Sequence, residues 1–302
     1  MLYPNMKELI ALKALKSRGS MLSQRAVKST APGNHHSPFR GQGLEFDSVR
    51  EYVLGDDIRN IDWRVTARSG SPHIKLFNEE KERSVLLCVD MNAHMRFGTR
   101  NTFKSVQAAR VAATLGWQSL AQHDRVGTLL FGDVPLGMQF FEPCRTRKSL
   151  WSTLKAFVEP CTESHPVPLE SALEHLVRFN HVGLLIYVIS DFLELTVNLE
   201  RSLIRLNKRC DVVAVSINDQ AEKSIPALAT ISFHGENSEI ILANTDSFAG
   251  REAYAAKWEE NRQKLSQMMN RQKIPLVQLT TEADIPRDLI FGLNRISKRR
   301  GK

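Results

Sequence analysis

From Arg83 onward the chain alternates between two rhythms of apolar residues. Short aliphatic runs predict strands at 85–89, 125–131, 184–189, 211–217 and 276–279. Between them, apolar residues recur at three- and four-residue spacing. That spacing predicts helices at 103–121, 148–157, 169–178, 199–207 and 251–271. Strands that alternate with helices build a mostly parallel sheet with helices on both faces, an α/β fold of Rossmann type. Segment 103–121 is expected to be the most buried helix: Val106, Ala109, Arg110, Ala113, Leu115, Trp117 and Leu120 cover most of its circumference. Segment 251–271 is charged and amphipathic, so it belongs on the outside. Segments 229–233 and 239–242 read as a hairpin near the sheet edge.

Two of the apolar runs end in an aspartate. The run 84–89 leads into Asp90, and 184–190 leads into Asp191. Two buried parallel strands that end this way place both carboxylates at the C-terminal edge of one sheet. Open α/β sheets hold their ligands at that edge.

The chain before Arg83 reads differently. Leu9, Ile10, Leu12 and Leu15 give residues 6–16 the spacing of a short amphipathic helix. Residues 17–37 are rich in Gly, Ser, Pro and His and predict a loop. Residues 41–82 are polar, without long apolar runs. The domain division expected is 1–82, a helix and polar segment packed on the main domain, and 83–302, the α/β domain itself.

Composition narrows the function classes. With 42% hydrophobic and 25% charged residues in 302, a full core is expected. No run approaches the about 18 apolar residues of a membrane span, and residues 1–30 lack the apolar core of a signal peptide. Cys88, Cys144, Cys161 and Cys210 are widely spaced without a C-x-x-C, so reduced thiols in a cytoplasmic protein are expected. The net charge of +8 comes from 41 basic and 33 acidic residues. Part of the excess lies in the tail, at Arg295, Lys298, Arg299, Arg300 and Lys302, which reads as a solvated basic face. No basic motif interleaved with aromatics is present, so nucleic acid is not an expected partner. No G-x-S-x-G elbow occurs, and Gly41-x-Gly43 is followed by no G-K-[ST], which excludes a phosphate loop.

The polar stretch carries the most specific pattern. Gly41-Gln42-Gly43-Leu44-Glu45-Phe46-Asp47-Ser48-Val49-Arg50-Glu51-Tyr52 continues through Gly55-Asp56-Asp57-Ile58-Arg59-Asn60-Ile61-Asp62-Trp63 to Thr66-Ala67-Arg68, with Lys75 and Glu79-Glu80 beyond. This ordered series closely resembles the signature of the bacterial family called domain of unknown function 58. The resemblance continues through Phe97-Gly98, Asp124-Arg125-Val126-Gly127, Phe131-Gly132 and Ile189-Ser190-Asp191-Phe192 to the strand before Thr280. It implies a von Willebrand factor A-like domain preceded by a signature segment. It also implies association with a MoxR-type AAA+ ATPase. Physically, the segment alternates carboxylates with arginines, which pair well as forks. It reads either as an ion-pair and turn network that pins a polar segment, or as a docking surface. The residues expected to meet a partner are Arg50, Asp56, Asp57, Arg59, Asp62, Trp63 and Arg68.

The same resemblance implies a metal-adhesion loop of the pattern D-x-S-x-S after the first strand. Asp90 matches its aspartate, but Asn92 and His94 stand at the two serine positions. Mg²⁺ needs hard oxygen ligands in near-octahedral array, and imidazole suits Zn²⁺ or Cu²⁺ better. The loop that would supply a threonine falls at Val167-Pro168-Leu169, where Val167 has no ligand atom. Asp191 matches the last aspartate. The expected metal set is therefore a degenerate one, Asp90, Asn92 and Asp191, with no resident cofactor and Mg²⁺ the minor alternative. A transition metal on Asp90, His94 and Asp191 is a further option. His35-His36 and His123 are not expected to bind metal or catalyse.

These readings converge on a non-enzymatic adaptor or co-chaperone that works with a MoxR-type ATPase on an unknown client. A metal-dependent hydrolase using Asp90 and Asp191 is the alternative, and a nucleic-acid binder the third. The adaptor reading expects an Asp90/Asp191 double alanine variant to lose its partner without unfolding.

Overall fold

A computed structural model describes residues 3–14, 44–79, 83–159, 165–179, 182–234 and 240–300. His35, His36 and Cys161 lie outside the described residues, as does the loop predicted at 17–37. The chain divides into two compact units: residues 29–82 form one, and residues 1–28 with 83–302 form the other. In chain order the elements begin with α1 (Met6–Ala11), β1 (Leu44–Glu51), α2 (Trp63–Ser69) and β2 (His73–Glu79). The larger unit continues with β3 (Ser84–Met91), α3 (Lys104–Ala121), β4 (Arg125–Gly132), β5 (Met138–Cys144) and α4 (Arg147–Val158). Then come α5 (Leu169–Arg178), β6 (Leu185–Ser190), α6 (Val197–Arg209), β7 (Asp211–Asn218) and α7 (Gln220–Lys223). The chain closes with β8 (Thr230–His234), β9 (Ile240–Asn244), α8 (Phe248–Arg271), β10 (Leu276–Thr280) and α9 (Arg287–Arg300).

The main sheet has six strands in the order β10-β7-β6-β3-β4-β5. All neighbours are parallel except β4 and β5. The predicted strands and helices of the larger unit are all present, with ends shifted by a few residues. β5 went unpredicted: it is an antiparallel edge strand whose residues are mostly half-exposed, so it lacks the continuous apolar run of its neighbours. The predicted hairpin exists as β8 and β9, but it forms a separate two-stranded sheet.

Residues along each strand divide between the two faces with period two. Val85, Leu87 and Val89 join Tyr187, Ile189, Val213 and Val215 in one core cluster, which also takes in residues of α3, α4 and α9. Leu86 and Cys88 join Ile186, Val188, Val212 and Ala214 in the other, with residues of α5, α6 and α8. Helix α3 is buried on nearly all sides, as its apolar circumference predicts. Helix α8 buries only Arg262, Leu265 and Met269. Helix α1 belongs to the larger unit. Leu9 is fully buried, Trp117 Nε1 donates to the Leu9 carbonyl at 2.9 Å, and Arg110 pairs with Glu8 at 2.7 Å.

Cys88 and Cys210 are buried and Cys144 is half-buried, and none of the three is in a disulfide. Burial pushes the Cys88 and Cys210 thiols up, so neither is poised as a nucleophile. His123 follows the end of α3 with φ +63, and its N–H donates to the Leu120 carbonyl. No helix among the described residues is long and apolar enough to cross a membrane.

Candidate functional site

The order of the sheet fixes where a site can form. From β3 the chain moves outward to β4 and β5, then returns to the other side of β3 as β6. Strand order therefore reverses between β3 and β6, and ligand crevices open at such switch points. The parallel register pairs Val89 with Ile189. One step further along, Asp90 stands beside Ser190, whose hydroxyl donates to Asp90 Oδ2 at 2.6 Å. Asp191 follows at once. Both carboxylates are buried, at 1% and 2% exposure.

Each is held from several sides. Asp90 Oδ1 accepts the Asn92 backbone N–H at 3.0 Å and its side-chain amide at 2.8 Å. The Asn92 amide also bonds both ways to Val167: Nδ2 donates to the carbonyl at 3.0 Å, and Oδ1 accepts the N–H at 3.0 Å. Asn92 thus closes the loop expected to be the metal-adhesion loop. Its amide oxygen is thus already the acceptor of the Val167 N–H. Gly132 lies against this loop with φ +104, and a Cβ there would come 2.5 Å from the Asn92 nitrogen.

Asp191 is the counter-ion of a buried lysine. Lys104, the first residue of α3, is 2% exposed, and its ammonium lies 2.7 Å from Asp191 Oδ2 and 2.6 Å from Glu222 Oε1. Its Nζ also sits 5.7 Å from the centre of the Phe97 ring. Burial pulls the Lys104 pKa down, but the charges of Asp191 and Glu222 outweigh it and hold the group above its usual value. Arg262 of α8 adds a second buried cation. It donates to the carbonyls of Asp191 at 2.9 Å and Phe192 at 3.0 Å, and to Asn218 Oδ1 at 2.7 Å. Phe192 takes φ +53, uncommon for a bulky residue, and the turn lets Leu193 N–H reach Asp191 Oδ1 at 3.0 Å.

Glu222 joins this centre to a second cluster. Asp219 and Glu222 form the capping box of α7. Asp219 also accepts from the hydroxyls of Thr99 at 2.6 Å and Thr281 at 2.7 Å. Burial raises the Asp219 pKa, but these hydrogen bonds outweigh it and the net shift is downward.

His94 completes the edge. Its Nε2 lies 3.3 Å from Asp90 Oδ2 and 3.5 Å from Asp191 Oδ1. Burial lowers the imidazole pKa, yet the Asp90 hydrogen bond and the two carboxylate charges outweigh it and push it up to about 9. A cavity of about 370 Å³ opens beside these groups, bounded also by Val167, Glu170 and Thr196. Thr196 and Glu170 are hydrogen-bonded to each other on its wall. Asp90, Asn92 and Asp191 thus meet at one edge, and the His, Asp and Glu side chains there whose ligand atoms could share a cation are Asp90, His94 and Asp191. The sequence reading missed Lys104, Arg262 and Glu222. For Lys104 a signal existed, a lysine opening the most apolar helix. For Arg262 and Glu222 none did.

The oxygen ligands Mg²⁺ requires are not assembled here. Asn92 is committed to Val167, imidazole replaces a hydroxyl at His94, and Val167 supplies no side-chain ligand.

The residues expected to meet a partner lie in the other unit. There β1 and β2 form an antiparallel ribbon with a register shift between Phe46 and Ser48, and Asp62 N–H donates to the His73 carbonyl. Asp57 caps a 3₁₀ turn at Ile58–Asn60, and Asp62 caps α2 through the N–H groups of Arg64 and Val65. Asp56 accepts from Arg50 at 2.7 Å and from Val53 N–H at 2.9 Å. The Arg50 hydrogen bond holds the Asp56 carboxyl below its usual value, and the Val65 N–H does the same for Asp62. The three aspartates and Arg50 are therefore occupied within the unit. Arg59, Trp63 and Arg68 are exposed, as are Leu54, at 97%, and Ile58.

Fold and site together define an α/β domain compatible with the von Willebrand factor A-like arrangement, with a sheet edge wired to its own buried cations. The chain belongs to the family described as protein of unknown function DUF58, whose model matches residues 48–264. Among its relatives are the uncharacterized proteins Rv1480 of Mycobacterium tuberculosis and Mb1516 of Mycobacterium bovis. Each is 26% identical over 272 residues, covering 89% of this chain and 84% of its own. Among solved structures, the conserved hypothetical protein BatB from Bacteroides thetaiotaomicron is similar at a TM-score of 0.44 and 15% identity, over 72% of this chain and 99% of its own. Proximal thread matrix protein 1 from the mussel byssus is similar at 0.34 and 11%, over 45% and 37%. Likenesses this distant bear on neither function nor ligand.

Proposed function

We propose that this chain is a non-catalytic interaction module, an adaptor or co-chaperone that docks on a MoxR-type AAA+ ATPase and presents a client to it. The observation that carries the reading is the construction of the 29–82 unit. Asp57 and Asp62 cap helical turns and Asp56 pins Arg50, so these carboxylates are spent on shape. What that shape displays is apolar and cationic: Leu54, Ile58 and Trp63 among Arg59, Arg64 and Arg68. Aromatic and arginine side chains are the usual anchors of protein interfaces. The partner face suited to this surface is apolar with an acidic rim. The sheet edge favours the same reading, because Asp90 and Asp191 serve as hydrogen-bond acceptors and as counter-ion to Lys104. Neither is held ready as a general base.

The test uses the full chain and a purified MoxR-type ATPase. Trp63→Ala and Arg59→Glu each alter an exposed side chain and leave the caps in place. Each should weaken complex formation by at least about tenfold. Wild-type affinity in both variants would remove this surface from the interface.

A further inference from the structure

His94 faces both sheet-edge carboxylates, and its distances to them are informative. A charge-assisted N–H···O⁻ bond closes to about 2.7–2.9 Å, as both Lys104 contacts do at 2.7 and 2.6 Å. The His94 contacts stop at 3.3 and 3.5 Å. Around Zn²⁺, with bonds of about 2.0–2.1 Å to nitrogen and oxygen, neighbouring ligand atoms of a tetrahedron stand about 3.3 Å apart. The two spacings from His94 Nε2, 3.3 and 3.5 Å, are those of neighbouring ligands around one such ion. All three ligand atoms lie within 4.8 Å of one another.

We propose that Asp90, His94 and Asp191 form a zinc-class transition-metal site, bound through Asp90 Oδ2, His94 Nε2 and Asp191 Oδ1, with a further position open to the adjoining cavity. Charge supports it. The network around the edge holds three buried carboxylates, Asp90, Asp191 and Asp219, and the half-buried Glu222, against two permanent cations, Lys104 and Arg262. With His94 neutral, two negative charges remain, and a divalent ion cancels them. The ligands are also oriented from behind, as metal ligands usually are. Asn92 holds the other oxygen of Asp90, and Lys104 holds that of Asp191. The adjoining Lys104 ammonium would repel an incoming cation, but Glu222 offsets that charge at 2.6 Å. Imidazole selects Zn²⁺, Co²⁺ or Ni²⁺ over Mg²⁺. The site is independent of the adaptor reading and survives its failure.

The experiment strips the full chain of metal with chelator and titrates it with Co²⁺. One equivalent should bind with the visible d–d absorption of a low-coordinate nitrogen and oxygen site. Added Zn²⁺ should bleach that absorption, and excess Mg²⁺ should leave it unchanged. His94→Ser returns a hydroxyl to the loop and should weaken Co²⁺ and Zn²⁺ binding by at least about tenfold, with the fold checked by circular dichroism. If that variant fails to fold, His94→Asn replaces it. No stoichiometric Co²⁺ or Zn²⁺ in the wild-type chain would overturn the proposal. So would full displacement by Mg²⁺, or a folded His94 variant that binds as tightly as wild type.

Discussion

Replacing Lys104 with methionine removes one charge and keeps nearly the same volume. In the wild-type chain the ammonium is 2% exposed and touches Asp191 and Glu222 at 2.7 and 2.6 Å. Glu222 retains some access to water, with 19% of its side chain exposed, but Asp191 has 3%. The substitution therefore deprives buried Asp191 of its close counter-ion and leaves only the longer His94 contact at 3.5 Å. Breaking a buried pair from one side costs about 3–5 kcal/mol. In a domain of this size each kcal/mol lowers the melting temperature by about 2–4 °C, so a drop of about 6–20 °C is expected. Denaturant unfolding in the presence of chelator measures the loss, and an unchanged slope against denaturant would show that two-state behaviour survives. Adding Asp191→Asn to Lys104→Met removes the stranded charge. The double variant should recover part of the loss, giving a coupling of at least about 1–2 kcal/mol in the mutant cycle. A Lys104→Met chain within about 1 kcal/mol of wild type, or strict additivity of the two changes, would refute the claim that this pair organises the edge. A similar cost is expected for Asp90→Ala with Asp191→Ala. Removing Asp191 strands the ammonium, so that double variant should lose stability as well as any partner.

Three further outcomes are expected. Gly132→Ala combines a left-handed φ of +104 with a Cβ 2.5 Å from the Asn92 nitrogen, so thermal unfolding should show a loss of about 1–3 kcal/mol. In metal-free protein the folded-state pKa of His94 is raised from 6.5 to about 9, so its contribution is fully present below about pH 6.5 and is lost as pH rises through about 9. Urea midpoints should therefore fall between pH 6 and pH 9.5 by the equivalent of about 1–2 kcal/mol more in wild type than in His94→Asn, and parallel profiles would contradict the assignment. Asp62→Ala removes the cap of α2 and should cost the 29–82 unit about 1 kcal/mol, whereas Trp63→Ala, at a side chain 69% exposed, should cost less than about 0.5 kcal/mol.

Much of the larger unit was legible because a buried parallel strand is apolar at every position. The runs ending in Asp90 and Asp191 announced both the strands and the edge they share. β5 was hidden for the complementary reason, since a half-exposed edge strand carries no such run. In the polar unit, α2 went unread because its seven residues are too few to show a period, although Asp62 and Gly70 mark its ends as cap residues. The candidate site was half legible. The aspartates come from strand ends and can be read locally. Lys104, Arg262 and Glu222 reach the same point from three separate helices, and only the tertiary fold brings them there. Asn92 shows the limit of residue-type reasoning: an amide oxygen suits a metal, but here it closes the loop onto Val167.

The most direct test of the adaptor reading mixes the purified full chain with a purified MoxR-type ATPase and follows complex formation by sedimentation, with ATP and without nucleotide. A saturable complex whose affinity changes with nucleotide, and which Trp63→Ala weakens, is the expected result. No complex in either state, at concentrations where both proteins remain folded, would contradict it.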